Sequence, residues 1–226
     1  MSELLKIFLF AFVFLTLFGL AEFLRYFAGV KGETSRKLVH IFTGIITLFF
    51  PIYLDNHWSV LFLCGSFAVL LVASKIFRLL KSINDVNRIT HGSILYPVAV
   101  YGSFVIFSVK GNLIYFHLPI LTLAICDPLA AYFGKKYGKA RLNFCKDIKT
   151  VAGTMTFALS AYVISIISLL YFVEIPLMVL IIFSLLYAIV TAFAEALSKN
   201  GFDNLFIPLS GIVLLWLADI FNLISL

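Results

Sequence analysis

Residues 151–173 read VAGTMTFALSAYVISIISLLYFV, twenty-three positions without one charged side chain. As a helix rising about 1.5 Å per residue, such a stretch matches the ~30 Å hydrocarbon core of a bilayer. Seven more apolar segments accompany it: Leu4–Leu24, Leu38–Leu54, Trp58–Phe77, Ser93–Val109, Leu113–Phe133, Pro176–Ala194 and Leu205–Ile224. Of the 226 residues, 62% are hydrophobic and 12% charged, against roughly 45–50% and about 25% in soluble domains. One soluble core of this size cannot hide that much apolar surface. Soluble globular, disordered, collagen-like and disulfide-scaffold classes are excluded together. The expected fold is an all-α, polytopic membrane bundle of about eight transmembrane helices, forming one domain over residues 1–226. The second and fourth segments are short, which implies little tilt or a partly re-entrant path.

Polar punctuation separates the segments: Lys31-Gly32-Glu33, Asp55-Asn56-His57, Asn84-Asp85, Lys110-Gly111-Asn112 and Asn200-Gly201 read as turns. The basic residues sort by side. The odd-numbered connections and their flanks carry fifteen: Arg25, Lys31, Arg36, Lys37, Lys75, Arg78, Lys81, Arg88, Lys135, Lys136, Lys139, Arg141, Lys146, Lys149 and Lys199. The other side carries Lys6 and Lys110. The positive-inside rule places the odd connections in the cytoplasm and both termini outside. A cleaved leader ending near Gly19 and Ala21 fits less well, because it would strand Arg25 to Lys37 on the wrong side. Three cysteines, Cys64, Cys126 and Cys145, lack metal-ligand spacing and read as small hydrophobes. The formal charge of +6 speaks of orientation; no nucleic-acid-binding signature accompanies it.

Polar groups gather at the cytoplasmic ends of these segments, where they are costly and hence informative. Glu33-Thr34-Ser35-Arg36-Lys37-Leu38-Val39-His40 places Arg36 and His40 on one face of a helix that Thr34 or Ser35 could cap. Read blandly, the basic pair is a membrane anchor. Asn87-Arg88-Ile89-Thr90-His91-Gly92-Ser93 reads as a capping turn with a second histidine. Asp127 interrupts an apolar run and precedes Pro128, which suggests a helix break with Asp127 as N-cap. Ala130, Ala131, Gly134 and Gly138 then form a small-residue stripe. The stripe is either a helix-packing face or a bare groove for a phosphate chain flanked by Lys135, Lys136, Lys139, Lys146 and Lys149. Lys149-Thr150 with Gly153 and Thr154 opens a helix whose free N–H groups suit an anion. Glu195 closes the seventh segment and Asp203-Asn204 opens the eighth. They read as an i,i+4 pair with Lys199 and a helix cap, or as hard oxygen ligands for Mg²⁺ carrying phosphates.

Taken together, Arg36-Lys37-x-x-His40, Asp127-Pro128-x-Ala130 with Gly134 and Gly138, Lys149-Thr150-x-x-Gly153-Thr154, Glu195-Ala196 and Asp203-Asn204-x-x-x-Pro208 resemble the dolichol kinase, phytol kinase and CTP-dependent diacylglycerol kinase family. The resemblance covers about residues 30–210. It implies an integral membrane enzyme that moves the γ-phosphate of CTP to the hydroxyl of a lipid alcohol, with Mg²⁺. It implies catalytic roles for Asp127, Lys149 and Glu195. Arg36, Lys37, His40, Gly134, Lys135, Gly138, Thr150, Gly153 and Thr154 are then expected around the nucleotide, and Asp127, Asp203 and Asn204 around the metal. Glu195 and Asp127 both remain candidates for the proton acceptor. The middle block also looks like phosphatidate cytidylyltransferase, but that family's His-Gly-Gly-x-x-Asp-Arg ending is missing. A small transporter is the rival from another class; transporters concentrate charge at the bilayer midplane, often in inverted repeats, and here Asp127 alone lies within an apolar run.

Overall fold

The computed structural model describes residues 2–30, 32–77, 79–84, 90–142 and 149–224. The Asn87-Arg88 part of the second polar cluster, and Cys145 and Lys146, lie outside them. Eight helices among the described residues are long and apolar enough to cross a membrane, as the sequence predicts. α1 (Glu3–Ala28) ends at Gly29, whose φ of +63° closes it in the left-handed region. α2 (Gly32–Thr47) runs through a two-residue turn into the short α3 (Phe50–Tyr53). α4 (His57–Ile76) is capped by the Asn56 side chain, which accepts from Ser59 N. The short α5 (Lys81–Asn84) precedes α6 (Gly92–Lys110). α7 (Ile114–Leu121), a π-helical turn (Thr122–Cys126) and α8 (Asp127–Tyr137) form one continuous span. α9 (Val151–Phe172), α10 (Leu177–Leu197) and α11 (Asp203–Ile220) complete the bundle.

The fifth span, Ile114–Tyr137, is the axis of the bundle. Of its apolar window 78% is buried, against 22–39% for the other seven. The outward faces carry exposed Phe8, Phe12, Leu159, Ile182 and Phe193, as a lipid-facing surface requires. Ion pairs lock one end and hydrogen bonds the other. Lys6 meets Asp55, and Lys110 meets Asp219, at one end of the bundle. At the other end Glu22 accepts from the backbone of Lys81 and Ser82, and His91 N donates to Asn200 O.

Three local expectations are corrected. The second span is not short: Glu33, Arg36 and Lys37 are already helical, so Gly32–Tyr53 has full crossing length. Thr34 and Ser35 therefore lie inside α2 rather than capping it, and Ser35 is buried. The chain also does not break at Asp127-Pro128. Proline removes a donor and crowds the carbonyl four residues back; here the π-helical turn immediately before it re-spaces the carbonyls and the helix continues. Asp127 is thus a helical residue, not a cap.

Candidate functional site

The π-helical turn is the first element of the site. In π register the Leu123 carbonyl would look five residues ahead for an N–H, and finds Pro128, which has none. His40 supplies the missing donor: its Nε2 lies 3.0 Å from Leu123 O. A carbonyl only accepts, so Nε2 carries the proton. The His40 ring also packs edge-on against Tyr96, with centroids 4.7 Å apart. His40 therefore ties α2 to the helix that presents Asp127.

Asp127 is buried, and its Oδ2 accepts from Lys37 Nζ at 2.6 Å. Lys149 stands at the foot of α9 and pairs with Glu195 of α10 and, at 3.7 Å, with Asp203 of α11. Desolvation works against the Lys149 ammonium, but Glu195, Asp203 and Asp127 together outweigh it and raise its pKa above the ordinary 10.5. Glu195 pairs with Lys149 and not with Lys199, as the i,i+4 reading expected. Its second oxygen, Oε2, is buried with no hydrogen-bond partner, and so is Thr154 Oγ1.

These groups line a polar cavity of about 260 Å³ at one end of the bundle. Glu33, Lys37, Asp127, Lys135, Lys149, Glu195 and Asp203 supply its charge; Gly134, Thr150, Gly153 and Thr154 supply much of the remainder. The cavity lies at the end of the bundle that holds the lysine-bearing connections.

The small residues act first as packing. A Cβ on Gly134 would sit 2.9 Å from Thr150 Oγ1 and 3.1 Å from Gly153 Cα. Gly138 is tighter, at 2.5 Å from Thr150 Oγ1. These contacts let α8 close on the start of α9 and bring Lys149 toward Asp127. At that start two N–H groups are already used: Val151 N donates to Ala140 O, and Gly153 N donates to Thr150 Oγ1. Thr150 is an N-cap before it is anything else.

Other expected residues lie elsewhere. Arg36 pairs with Glu33 at 3.0 Å, yet it lines a second cavity with His40 and Asn204. Asn204 donates from Nδ2 to Gly92 O at 2.7 Å. Asp203 does not cap α11 but accepts from Asn204 N within its first turn. Lys136 lies over the Tyr132 and Tyr137 rings. The His91 ring meets Phe202 edge-on. Sequence reading assigned Glu33 no role, although its place one turn before Lys37 puts both on one helix face.

Mg²⁺ takes oxygen ligands and keeps several waters, using one or two carboxylates plus substrate phosphates. Among the described residues no group of three or more His, Cys, Asp or Glu side chains is placed to hold a metal ion alone. Glu195, with its partnerless buried oxygen, and neighbouring Asp203 nevertheless fit a cation that arrives on phosphates.

Comparison with curated proteins finds a phytol kinase from Synechocystis sp., 30% identical over 200 residues, spanning 87% of this chain and 84% of that protein. No family model matches, and no solved structure matches.

Proposed function

The chain belongs to the polyprenol and phytol kinase-like family, and from that premise we propose that its polar cavity is where CTP gives its γ-phosphoryl group to a lipid alcohol at the cytoplasmic membrane face. The observation that carries this reading is the concentration of Lys37, Lys149, Asp127, Glu195 and Asp203 in one cavity at a helix-bundle end, with a larger apolar cavity on the other side of α2. Charge and oil are one helix apart, as a water-soluble donor and a bilayer-borne acceptor require.

Phosphoryl transfer asks for positioning and charge neutralisation more than for covalent help. Lys149, Lys37 and Lys135 would hold the phosphate oxygens. Lys149 keeps its charge at neutral pH because three carboxylates surround it. Bound Mg²⁺ would neutralise charge growing on the phosphates, with Glu195 and Asp203 as its protein ligands. Asp127 belongs to both expected sets, metal and catalysis. We assign it the proton, because among Asp127, Glu195 and Asp203 it is the one that meets α2, the wall shared with the apolar side. The lipid oxygen bonds to the γ-phosphorus, the bond to the bridging oxygen breaks, CDP leaves, and the hydroxyl proton passes to Asp127.

A screen of detergent-purified protein tests this. CTP, UTP, ATP and GTP carrying a labelled γ-phosphate are offered with phytol, longer polyprenols and diacylglycerol. The expected product is a labelled lipid monophosphate, formed best with CTP and Mg²⁺. Release of pyrophosphate with phosphatidate as acceptor would instead establish the cytidylyltransferase reaction.

A further inference from the structure

The larger cavity holds about 500 Å³. It runs inside the bundle between α1, α2, α4 and α6. Its charged and amide groups, Arg36, Lys75, Asn84 and Asn204, all sit at helix ends on the side of the polar cavity. From Arg36 to Thr47 on α2 the wall descends eleven residues, roughly 16 Å at 1.5 Å each. The far end is apolar: Phe14, Phe50 and Leu63 line it. Phe50 is 1% exposed and meets Phe10 edge-on, with centroids 5.0 Å apart. The hydroxyl of Thr47 is turned back on its own helix, donating to Gly44 O at 2.8 Å. The cavity is therefore a sleeve with a polar mouth and a closed aromatic floor.

We infer, resting on the kinase reading above, that this sleeve takes the single tail of an isoprenoid alcohol and limits its length to about three or four isoprene units. An apolar cavity of about 150 Å³ takes up benzene, roughly 25 Å³ for each carbon, so this cavity holds on the order of twenty carbons. The two acyl chains of diacylglycerol exceed that, and so does a polyprenol of many units. Phe50 and Thr47 set the limit from the floor. The hydroxyl, at the mouth, stops beside α2, where Arg36 lines the sleeve and Lys37 lines the polar cavity.

Two substitutions read the floor in opposite directions. Thr47→Phe fills the far end and Phe50→Ala deepens it. Prenols of about 5, 10, 15, 20 and 30 or more carbons, and diacylglycerol, are tested for two properties: turnover with CTP–Mg²⁺, and thermal stabilisation of the protein without nucleotide. The wild type is expected to prefer the 15- and 20-carbon prenols by about ten-fold or more over the longest. Thr47→Phe is expected to shift both readouts to shorter prenols, and Phe50→Ala to longer ones. Equal response to every length, unchanged in Thr47→Phe, overturns the inference, as does preference for diacylglycerol. Length-dependent stabilisation without turnover by any nucleotide supports the sleeve and sinks the kinase reading instead.

Discussion

Lys37 on α2 and Asp127 on α8 are 90 positions apart in sequence, yet Nζ and Oδ2 stand 2.6 Å apart. Their side chains are 17% and 9% exposed, so the pair is a partly desolvated tie between the wall of the sleeve and the carboxylate of the polar cavity. Removing one member strands the other, at a cost of about 3–5 kcal/mol. Lys37→Met and Asp127→Asn alone should each lower the melting temperature in detergent. The double variant should melt closer to wild type than the worse single one. Turnover should not follow stability: every variant lacking the Asp127 carboxylate should lose about 10²-fold or more. A folded Asp127→Asn protein with full activity would remove Asp127 from the reaction.

Lys149 should behave as a fixed charge. Its pKa in the folded protein is raised above 10.5, so the stability it contributes is whole below that value and is lost as pH climbs through the higher folded-state value. A loss of activity between about pH 8 and pH 9.5 should therefore not be Lys149 titrating. Melting curves through the alkaline range should fall for the wild type and more shallowly for Lys149→Met. Lys149→Arg should keep the charge and much of the stability, whereas Lys149→Met should lose both stability and turnover.

The bundle was legible in the sequence because bilayer thickness imposes a length on every apolar run. Apart from Glu33, the charged residues of the polar cavity were legible for a related reason: a carboxylate or lysine at a membrane edge needs a partner, and the partners are one another. What escaped was set by backbone detail. Asp127-Pro128 looked like a helix break, since the signal of a π-helical turn is the absence of an N–H at Pro128 relative to Leu123, which no periodicity displays. His40 was expected around the nucleotide; its partner in the fold, the Leu123 carbonyl at that turn, leaves no mark in the spacing. Asn204 was expected beside Asp203 at the metal, but it lines the larger cavity, its Nδ2 donating to Gly92 O from α6, a contact 112 residues distant. The sleeve was invisible because cavity shape depends on how four helices tilt together.

His40 accordingly should be a structural donor. His40→Phe keeps the ring packing against Tyr96 but leaves Leu123 O unsatisfied. The expected cost is about 1–3 kcal/mol of stability, measured by thermal or chemical unfolding in detergent. Affinity for nucleotide in the surviving folded protein should change little. A stable variant whose nucleotide affinity collapses would return His40 to the phosphates.

The glycines of α8 and α9 should be intolerant for steric reasons. Gly134→Ala places a methyl 2.9 Å from Thr150 Oγ1 and 3.1 Å from Gly153 Cα, so the helices must separate or the N-cap must yield. The expected penalty is about 1–3 kcal/mol. Gly102→Ala meets nothing within 4 Å and should be neutral or slightly stabilising, since alanine is the better helix former. Equal melting temperatures for the two variants would contradict close packing of α8 on α9.

Chelation should separate a preformed metal cage from a cation delivered with substrate. The four carboxylates of the polar cavity already have basic partners, Asp127 with Lys37, Glu195 and Asp203 with Lys149, and Glu33 with Arg36. Nothing in that arrangement depends on a metal for charge balance. EDTA should therefore abolish turnover while leaving the melting temperature of the nucleotide-free protein unchanged, and Mg²⁺ alone should not raise it. Mg²⁺ with a non-hydrolysable CTP analogue should raise it, by about 2.7 kcal/mol of stability at a hundred-fold excess over Kd. In Glu195→Gln that gain should shrink, because the carboxylate's negative charge is replaced by a neutral amide, a weaker ligand for the cation. A melting temperature that rises with Mg²⁺ alone would mean the carboxylates release their lysines to form a cage before any phosphate arrives.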